Sequence, residues 1–376
     1  MHYFLIAGEA SGDLHASHLI EELRSVDHEA RFTGLGGDLM RVQGMHVVRD
    51  YRQMAFMGII PVLKNLDKVK DNFKLARAAL LEARPDVLIL IDYPSFNLKM
   101  AKFCKKHLPQ TRVVYYISPK LWAWKTWRIR SIKRYVDRMY TIFPFETEFY
   151  AQRGYSVTYV GNPLMDIIDQ RANQQETAED FRERNGLDER PIMALLAGSR
   201  RSEIQQCLPK MLQAAERFPD YQVVVAGAPG QSSDLYRAMA PHAHVLFNQT
   251  YQLLQHAVFA VVNSGTATLE TALIGTPQVV VYHVSLPHLS SFLKPIVIKT
   301  RYVSLVNIIA GKEVVKELVA KDFTEKKLVA ELHRLMSNPN DVRVMRDGYA
   351  EVRHSLGVHG AARRVASLIY ADMSGR

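Results

Sequence analysis

Cysteine is almost missing from this chain. Cys104 and Cys207 are the only two, and both fall in stretches with helical spacing. Two thiols make no disulfide framework, and no Cys/His spacing resembles a zinc site, so no metal is expected. A reducing compartment is the simplest reading. Long apolar runs are missing as well. None reaches the roughly 18 to 20 residues that cross a bilayer. The N-terminus enters Tyr3-Phe4-Leu5-Ile6-Ala7 without the basic region and cleavage site of a signal peptide. The chain is therefore expected in the cytoplasm. Internal repeats and low-complexity segments are also absent.

What is present is ordinary in amount and ordered in pattern. The 376 residues are too many for one comfortable core and predict two domains. Forty-eight Lys and Arg against 38 Asp and Glu give a net charge of +10, which suits anionic partners: nucleic acid, acidic lipid or phosphorylated metabolites. Short apolar runs recur at Phe4–Ala7, Val87–Ile91, Val113–Ile117 and Met139–Ile142, then at Ile192–Leu196, Val223–Ala226, Phe259–Val262 and Gln278–Tyr282. They are rich in Val and Ile, bounded by turn residues and separated by helix-length segments. That pattern predicts an α/β chain of buried parallel strands in two Rossmann-like, doubly wound sheets. The series pauses after Gly161-Asn162-Pro163, which sets the expected domains at 1–162 and 163–349. Val365, Leu368, Ile369 and Met373 form a helical stripe, and a C-terminal helix within 350–376 is expected to pack back on the first domain.

The strand ends carry the chemistry. Gly8-Glu9-Ala10-Ser11-Gly12-Asp13 is a glycine-rich strand-to-helix turn, where a ligand approaches the backbone closely. The spacing is not Gly-x-Gly-x-x-Gly, and Glu9 puts negative charge where a dinucleotide pyrophosphate would lie, which argues against NAD. The turn suits an acceptor sugar, with room made by Gly12, Ser11 alongside, and Glu9 accepting hydrogen bonds from its hydroxyls. The plainer alternative is that Glu9 and Asp13 only cap the helix. Asp92, in Asp92-Tyr93-Pro94-Ser95-Phe96-Asn97, follows the run Val87–Ile91. A carboxylate at the carboxyl end of a parallel strand faces the ligand crevice and suits a general base, and equally a cap for the turn ahead of Pro94. Asn97 is placed with the acceptor.

In the second half, Gly198-Ser199-Arg200 and Ser264-Gly265-Thr266 each follow an apolar run and open a helix. Free N–H groups, a helix dipole and an arginine fork suit a diphosphate. Glu270, one turn further on, is placed at ribose hydroxyls, and Asn307, polar in an apolar run, at the donor sugar or phosphate. Each motif alone also reads as a plain βα turn. Two segments suggest a lipid-facing surface. One contains Met54, Phe56, Met57, Ile59, Ile60, Val62, Leu63 and Leu66, with Lys64, Lys68 and Lys70 nearby; if buried, it is equally ordinary core. The other holds all three tryptophans, Trp122, Trp124 and Trp127, followed by Arg128, Arg130, Lys133, Arg134 and Arg138. Indoles beside cations suit a sugar face, an acyl chain, a membrane interface or single-stranded nucleic acid, and equally a core beside a solvated helix.

Together these segments resemble the lipid-A-disaccharide synthase family. The resemblance runs through Gly8–Asp13, Phe56-Met57-Gly58, Asp92-x-Pro94-x-Phe96-Asn97 and Ser118-Pro119-x-x-Trp122-Ala123-Trp124. It continues through Gly198-Ser199-Arg200-x-x-Glu203, Ser264-Gly265-Thr266-Ala267-x-Leu269-Glu270 and Ser304-Leu305-x-Asn307-x-x-Ala310-Gly311. It implies a GT-B type glycosyltransferase with an interdomain cleft. It also implies inverting transfer of 2,3-diacylglucosamine from its UDP derivative to 2,3-diacylglucosamine 1-phosphate, giving a β-1,6-linked disaccharide and UDP. Asp92 would be the base. The family resemblance further implies no cofactor, no nucleic-acid partner and peripheral attachment to the inner face of the cytoplasmic membrane, and it leaves room for a homodimer. The chain departs from the commoner family pattern at Ser95, Asn162 and Ala197. A UDP-sugar 2-epimerase, another N-acetylglucosaminyltransferase, or a non-catalytic basic membrane- or nucleic-acid-binding module are the competing readings.

Overall fold

The Val- and Ile-rich runs become parallel strands because both of their faces are covered. In β1 (His2–Ala7) every residue after His2 is buried, and in β4 (Val87–Ile91) every residue is. The computed structural model describes residues 1–54, 66–123, 125–283 and 301–375. The chain forms two compact units, Met1–Pro163 with Val358–Arg376, and Leu164–Gly357.

The first unit adds β2 (Arg31–Gly36), β3 (His46–Asp50), β5 (Arg112–Tyr116), β6 (Arg138–Thr141) and β7 (Thr158–Tyr159), all parallel. The strand order is β3-β2-β1-β4-β5-β6-β7. Order therefore reverses between β1 and β4, which is the switch point where open sheets leave a crevice. Alternate residues share a face. Phe4, Ile6, Leu88, Leu90, Val113 and Tyr115 pack with Ala76 and Leu80 of helix Leu66–Ala83 and with Met100, Ala101 and Cys104 of helix Pro94–His107.

The C-terminal stretch is two helices. Pro339–Ser355 belongs to the second unit, where the Tyr349 hydroxyl donates to the Thr276 carbonyl at 3.2 Å. Residues 350–357 thus stay with the second unit. Ala361–Ser374 belongs to the first and packs on helix Ala10–Val26. Its Asp372 takes a two-pronged bond from Arg112, at 2.6 and 2.9 Å, and a third from Arg138 at 3.1 Å.

The second unit carries β8 (Ile192–Leu196), β9 (Gln222–Gly227), β10 (His244–Phe247), β11 (Ala257–Asn263), β12 (Gln278–Tyr282) and β13 (Lys316–Val319). All pairs are parallel and the order is β10-β9-β8-β11-β12-β13. Its switch point falls between β8 and β11. No helix among the described residues is long and apolar enough to cross a membrane.

Candidate functional site

At the first switch point, Ala7 pairs with Ile91 and Ile91 with Tyr116, so the turns after β1, β4 and β5 leave the sheet side by side. These turns carry Glu9, Asp92 and Ser118–Lys120. The backbone here is unusual: Asp92, Tyr93 and Ile117 all have left-handed φ, at 42°, 45° and 64°. Such a conformation costs a non-glycine residue about 1–2 kcal/mol and persists where neighbours hold it. Here they do. Asp92 N–H donates to the Tyr116 carbonyl at 3.2 Å, and Ile117 N–H to the Tyr140 carbonyl at 3.1 Å. The Asp92 carbonyl accepts from the Tyr115 hydroxyl and from Asn97 Nδ2 at 2.8 Å, while the same amide donates to the Ile91 carbonyl at 3.1 Å.

None of those bonds uses the Asp92 carboxylate. Burial pushes its pKa above the ordinary carboxylate value, partly opposed by the Lys120 charge and a hydrogen bond from Tyr93 N–H. A carboxyl group held this way is the more basic once ionised, as proton abstraction requires. Gly8 belongs to the same construction. A Cβ there would lie 2.3 Å from the Tyr93 ring, whose hydroxyl donates to the Met54 carbonyl at 3.1 Å. Glu9 is half-buried on this edge, close enough to Tyr93 to help raise the phenol's pKa after burial. Ser11 is exposed.

Other expected acceptor residues prove structural. Gly12 is buried, and a Cβ there would meet the Ala7 Cβ at 3.3 Å. Its missing side chain lets the helix approach β1 rather than making room for a sugar. Asn97 is fully buried with its amide committed to backbone carbonyls, so it positions the Asp92 turn. Asp13, offered only as a helix-capping residue, instead accepts from Gly37 N–H at 2.7 Å and Leu39 N–H at 3.1 Å, bracing a neighbouring turn.

In the second unit, Val262 pairs with Leu196, which brings the two helix-opening turns together at the β8/β11 switch point. Gly198 has φ 111°, and a Cβ there would fall 2.6 Å from Glu203 Oε2. Glu203 folds back on the turn, accepting from Ser199 N–H and Arg200 N–H at 3.2 Å each and from the Arg200 guanidinium at 3.0 Å. Ser199 and Arg200 are exposed at the start of helix Arg201–Ala215. Gly265 caps helix Thr266–Ile274, with open space where a side chain would stand, and Thr266 is exposed. The Ser264 hydroxyl donates to the Val303 carbonyl at 2.8 Å. Glu270, one turn in, accepts from the Tyr251 hydroxyl at 3.0 Å, and burial raises its pKa.

Asn307 departs from expectation. It is fully buried; its Nδ2 donates to the Val315 carbonyl and Glu317, and its Oδ1 accepts from Val314 and Val315 N–H, all at 2.7–2.9 Å. Its side chain ties the 303–315 loop to β13 instead of facing a ligand.

The lipid-facing assignments divide. Met54 is buried in the core, not exposed. Trp122 is buried too, its ring edge-on to Phe143 and Phe145 and its indole N–H donating to Glu146 at 3.2 Å. Trp127 is exposed, 66% accessible. Leu66 opens helix Leu66–Ala83. Phe56, Met57, Ile59, Ile60, Val62, Leu63 and Trp124 lie outside the described residues.

Sequence reasoning did not single out Glu146. It is fully buried and accepts from Trp122, Phe143 N–H and the Ser118 hydroxyl, and burial pushes its pKa up to about 7. Its side-chain partners, Ser118 and Trp122, lie 28 and 24 residues earlier and left no local signal. Among the described residues no group of three His, Cys, Asp or Glu is arranged to hold a metal.

Two parallel, doubly wound sheets with loaded switch points define the class of GT-B glycosyltransferases and the UDP-sugar epimerases built like them. Solved structures agree on the fold. A UDP-N-acetylglucosamine 2-epimerase from Listeria monocytogenes superposes with a TM-score of 0.66 at 14% identity, covering 100% of this chain and 97% of that one. The glycotransferase of kitacinnamycin gives 0.60 at 17% identity, covering 99% of each chain. The lipid-A-disaccharide synthetase family model matches residues 3–367. The lipid-A-disaccharide synthases of Geobacter sulfurreducens and Myxococcus xanthus are 37% and 38% identical over 97% of this chain, spanning 95% and 96% of their own lengths. The chain belongs to the lipid-A-disaccharide synthetase family and is a glycosyltransferase.

Proposed function

We propose that the chain transfers 2,3-diacylglucosamine from its UDP derivative to the 6-hydroxyl of 2,3-diacylglucosamine 1-phosphate. Asp92 takes the proton from that hydroxyl as its oxygen attacks the anomeric carbon of the donor, opposite the departing UDP. The bond from the anomeric carbon to the diphosphate breaks, and a β-1,6-linked disaccharide 1-phosphate forms. Glu9 and Ser11 lie on the acceptor side. Arg200 and the N–H groups opening the helices at Arg201 and Thr266 receive the diphosphate charge, with Ser199, Gly198, Ser264 and Gly265 shaping the turns. Glu270 accepts from the ribose.

The observation that carries this reading is Asp92 at the first switch point, its carboxyl raised by burial and its backbone held independently of it, in a chain of this family. Attachment to the cytoplasmic face of the inner membrane is part of the proposal. It is supported by the basic cleft of Lys70, Lys74, Arg77 and Lys99 around Phe73, on helices Leu66–Ala83 and Pro94–His107. A radiolabelled transfer assay with both acylated glucosamines, followed by the product's mass, tests the reaction. UDP release that does not depend on the acylated acceptor would refute it in favour of an epimerase-like activity.

A further inference from the structure

Arg128 is buried, yet no carboxylate pairs with it among the described residues. The stretches outside them, 55–65, 124, 284–300 and 376, contain no Asp or Glu. Its side-chain contacts carry no formal negative charge: the guanidinium donates to the Ser95 hydroxyl at 2.7 Å and lies over the Trp127 ring, 5.7 Å from its centroid. Burial lowers its pKa, and the nearby Tyr115, whose hydroxyl also holds the Asp92 carbonyl, is kept neutral by its own burial and offers no countercharge. Lys125 stands near enough that burial, and then Arg128 itself, lower its pKa too. A buried cation next to a second cation costs several kcal/mol unless an anion arrives. The place matters. Ser95 lies three residues after Asp92, in the first turn of helix Pro94–His107, whose positive end faces this edge. A planar fork of donors beside a helix start is the geometry that takes a phosphate.

We propose that Arg128, held by Ser95, binds the anomeric phosphate of the acceptor while Asp92 takes the proton from the hydroxyl at the other end of the same sugar ring. This rests on the acceptor assigned above. It makes Arg128 the residue that distinguishes a phosphorylated acceptor from its dephosphorylated form.

The test compares kcat/KM for 2,3-diacylglucosamine 1-phosphate and for 2,3-diacylglucosamine in the wild type, Arg128→Gln and Arg128→Lys, with melting temperatures and donor KM measured alongside. The wild type is expected to favour the phosphorylated acceptor. In Arg128→Gln that preference falls by about 10- to 100-fold, through KM of the phosphorylated acceptor, with donor KM unchanged. Arg128→Lys keeps a cation but loses the planar fork, and lowers the preference in the same direction. It keeps the site's charge if the glutamine variant fails to fold. A preference that survives in both variants, or in Arg128→Lys alone where Arg128→Gln does not fold, overturns the proposal. So does a fall in rate equal for both acceptors, which marks a structural role. A wild type that turns over neither acceptor refutes the reaction itself, and the proposal with it.

Discussion

Replacing Asp92 by Asn separates catalysis from architecture more cleanly than any other change at this edge. The bonds that fix the turn run through the main chain: Asp92 N–H to Tyr116, and its carbonyl from Tyr115 and Asn97. The amide retains an oxygen for Tyr93 N–H and keeps the side chain's shape. What it loses is the ability to accept a proton. General-base catalysis contributes roughly 10²–10⁴-fold, so kcat should fall by that factor, or about 2.7–5.4 kcal/mol of transition-state stabilisation. Stability should move the other way. Because burial raises the folded-state pKa of Asp92, the folded chain holds this proton more tightly than the unfolded one. Its contribution to stability is complete at low pH and is lost as pH rises through the folded pKa. Asn carries no such loss, so the variant should match or exceed the wild type in melting temperature at neutral pH. The same sign governs the rate. Activity should fall on the acid side with a limb above the ordinary carboxylate range, and Lys120→Met, which removes the opposing charge, should move that limb to higher pH. Single-turnover transfer, calorimetric UDP binding and thermal melts across pH make the check. A near-normal turnover in Asp92→Asn would remove Asp92 from the chemistry, and a marked loss of stability would refute the account of its burial.

Glu270→Ala should weaken donor binding by roughly 10- to 100-fold, the worth of charged hydrogen bonds to ribose hydroxyls, while Tyr251→Phe, which removes the residue's internal partner, should weaken it far less. An unchanged donor KM in Glu270→Ala would end the ribose assignment. Glu146 has a folded pKa of about 7 against an ordinary 4.5, so the stability it confers is present in acid and fades as pH rises through that window. Glu146→Gln should flatten that part of the stability–pH curve, and an unaltered slope in urea melts would contradict it. Asp372→Asn should cost about 2 kcal/mol by loosening helix Ala361–Ser374 from Arg112 and Arg138. Burial opposes the ionised form of Asp372, but the arginines outweigh it and lower the pKa. That stability is therefore lost as pH falls through the lowered value, and UDP affinity should be untouched. A chemical melt coinciding with the wild type's would refute the anchoring role.

How far the sequence could be read depended on whether each signal was local. β4 and β11 announce themselves because a strand buried on both faces must be apolar throughout its middle. β2 does not, although it lies inside the sheet. Its Gly34 reads as a breaker, yet a Cβ there would stand 1.9 Å from the Leu5 carbonyl oxygen, so glycine is what lets β2 lie against β1. Edge strand β3 is half-exposed and carries His46, Arg49 and Asp50, and so it lacked any apolar run to find. The site follows the same division. Turn residues at strand ends are dictated by sheet topology, and Asp92, Arg200 and Thr266 stand where parallel strands must end. Whether a polar side chain in such a turn faces a ligand or the protein depends on what lies across the fold. Asn97 and Asn307 have ample donors and acceptors, but backbone carbonyls take the Asn97 amide nitrogen, and groups of the protein take both polar atoms of Asn307. Arg128 sits in a run of cations that locally suggests a solvated or lipid-facing helix. Its meaning changes once Ser95, 33 residues earlier in the chain, is seen to hold it inside. A charge acquires chemical purpose from what fails to neutralise it, and that is a property of the packed fold which no window along the chain contains.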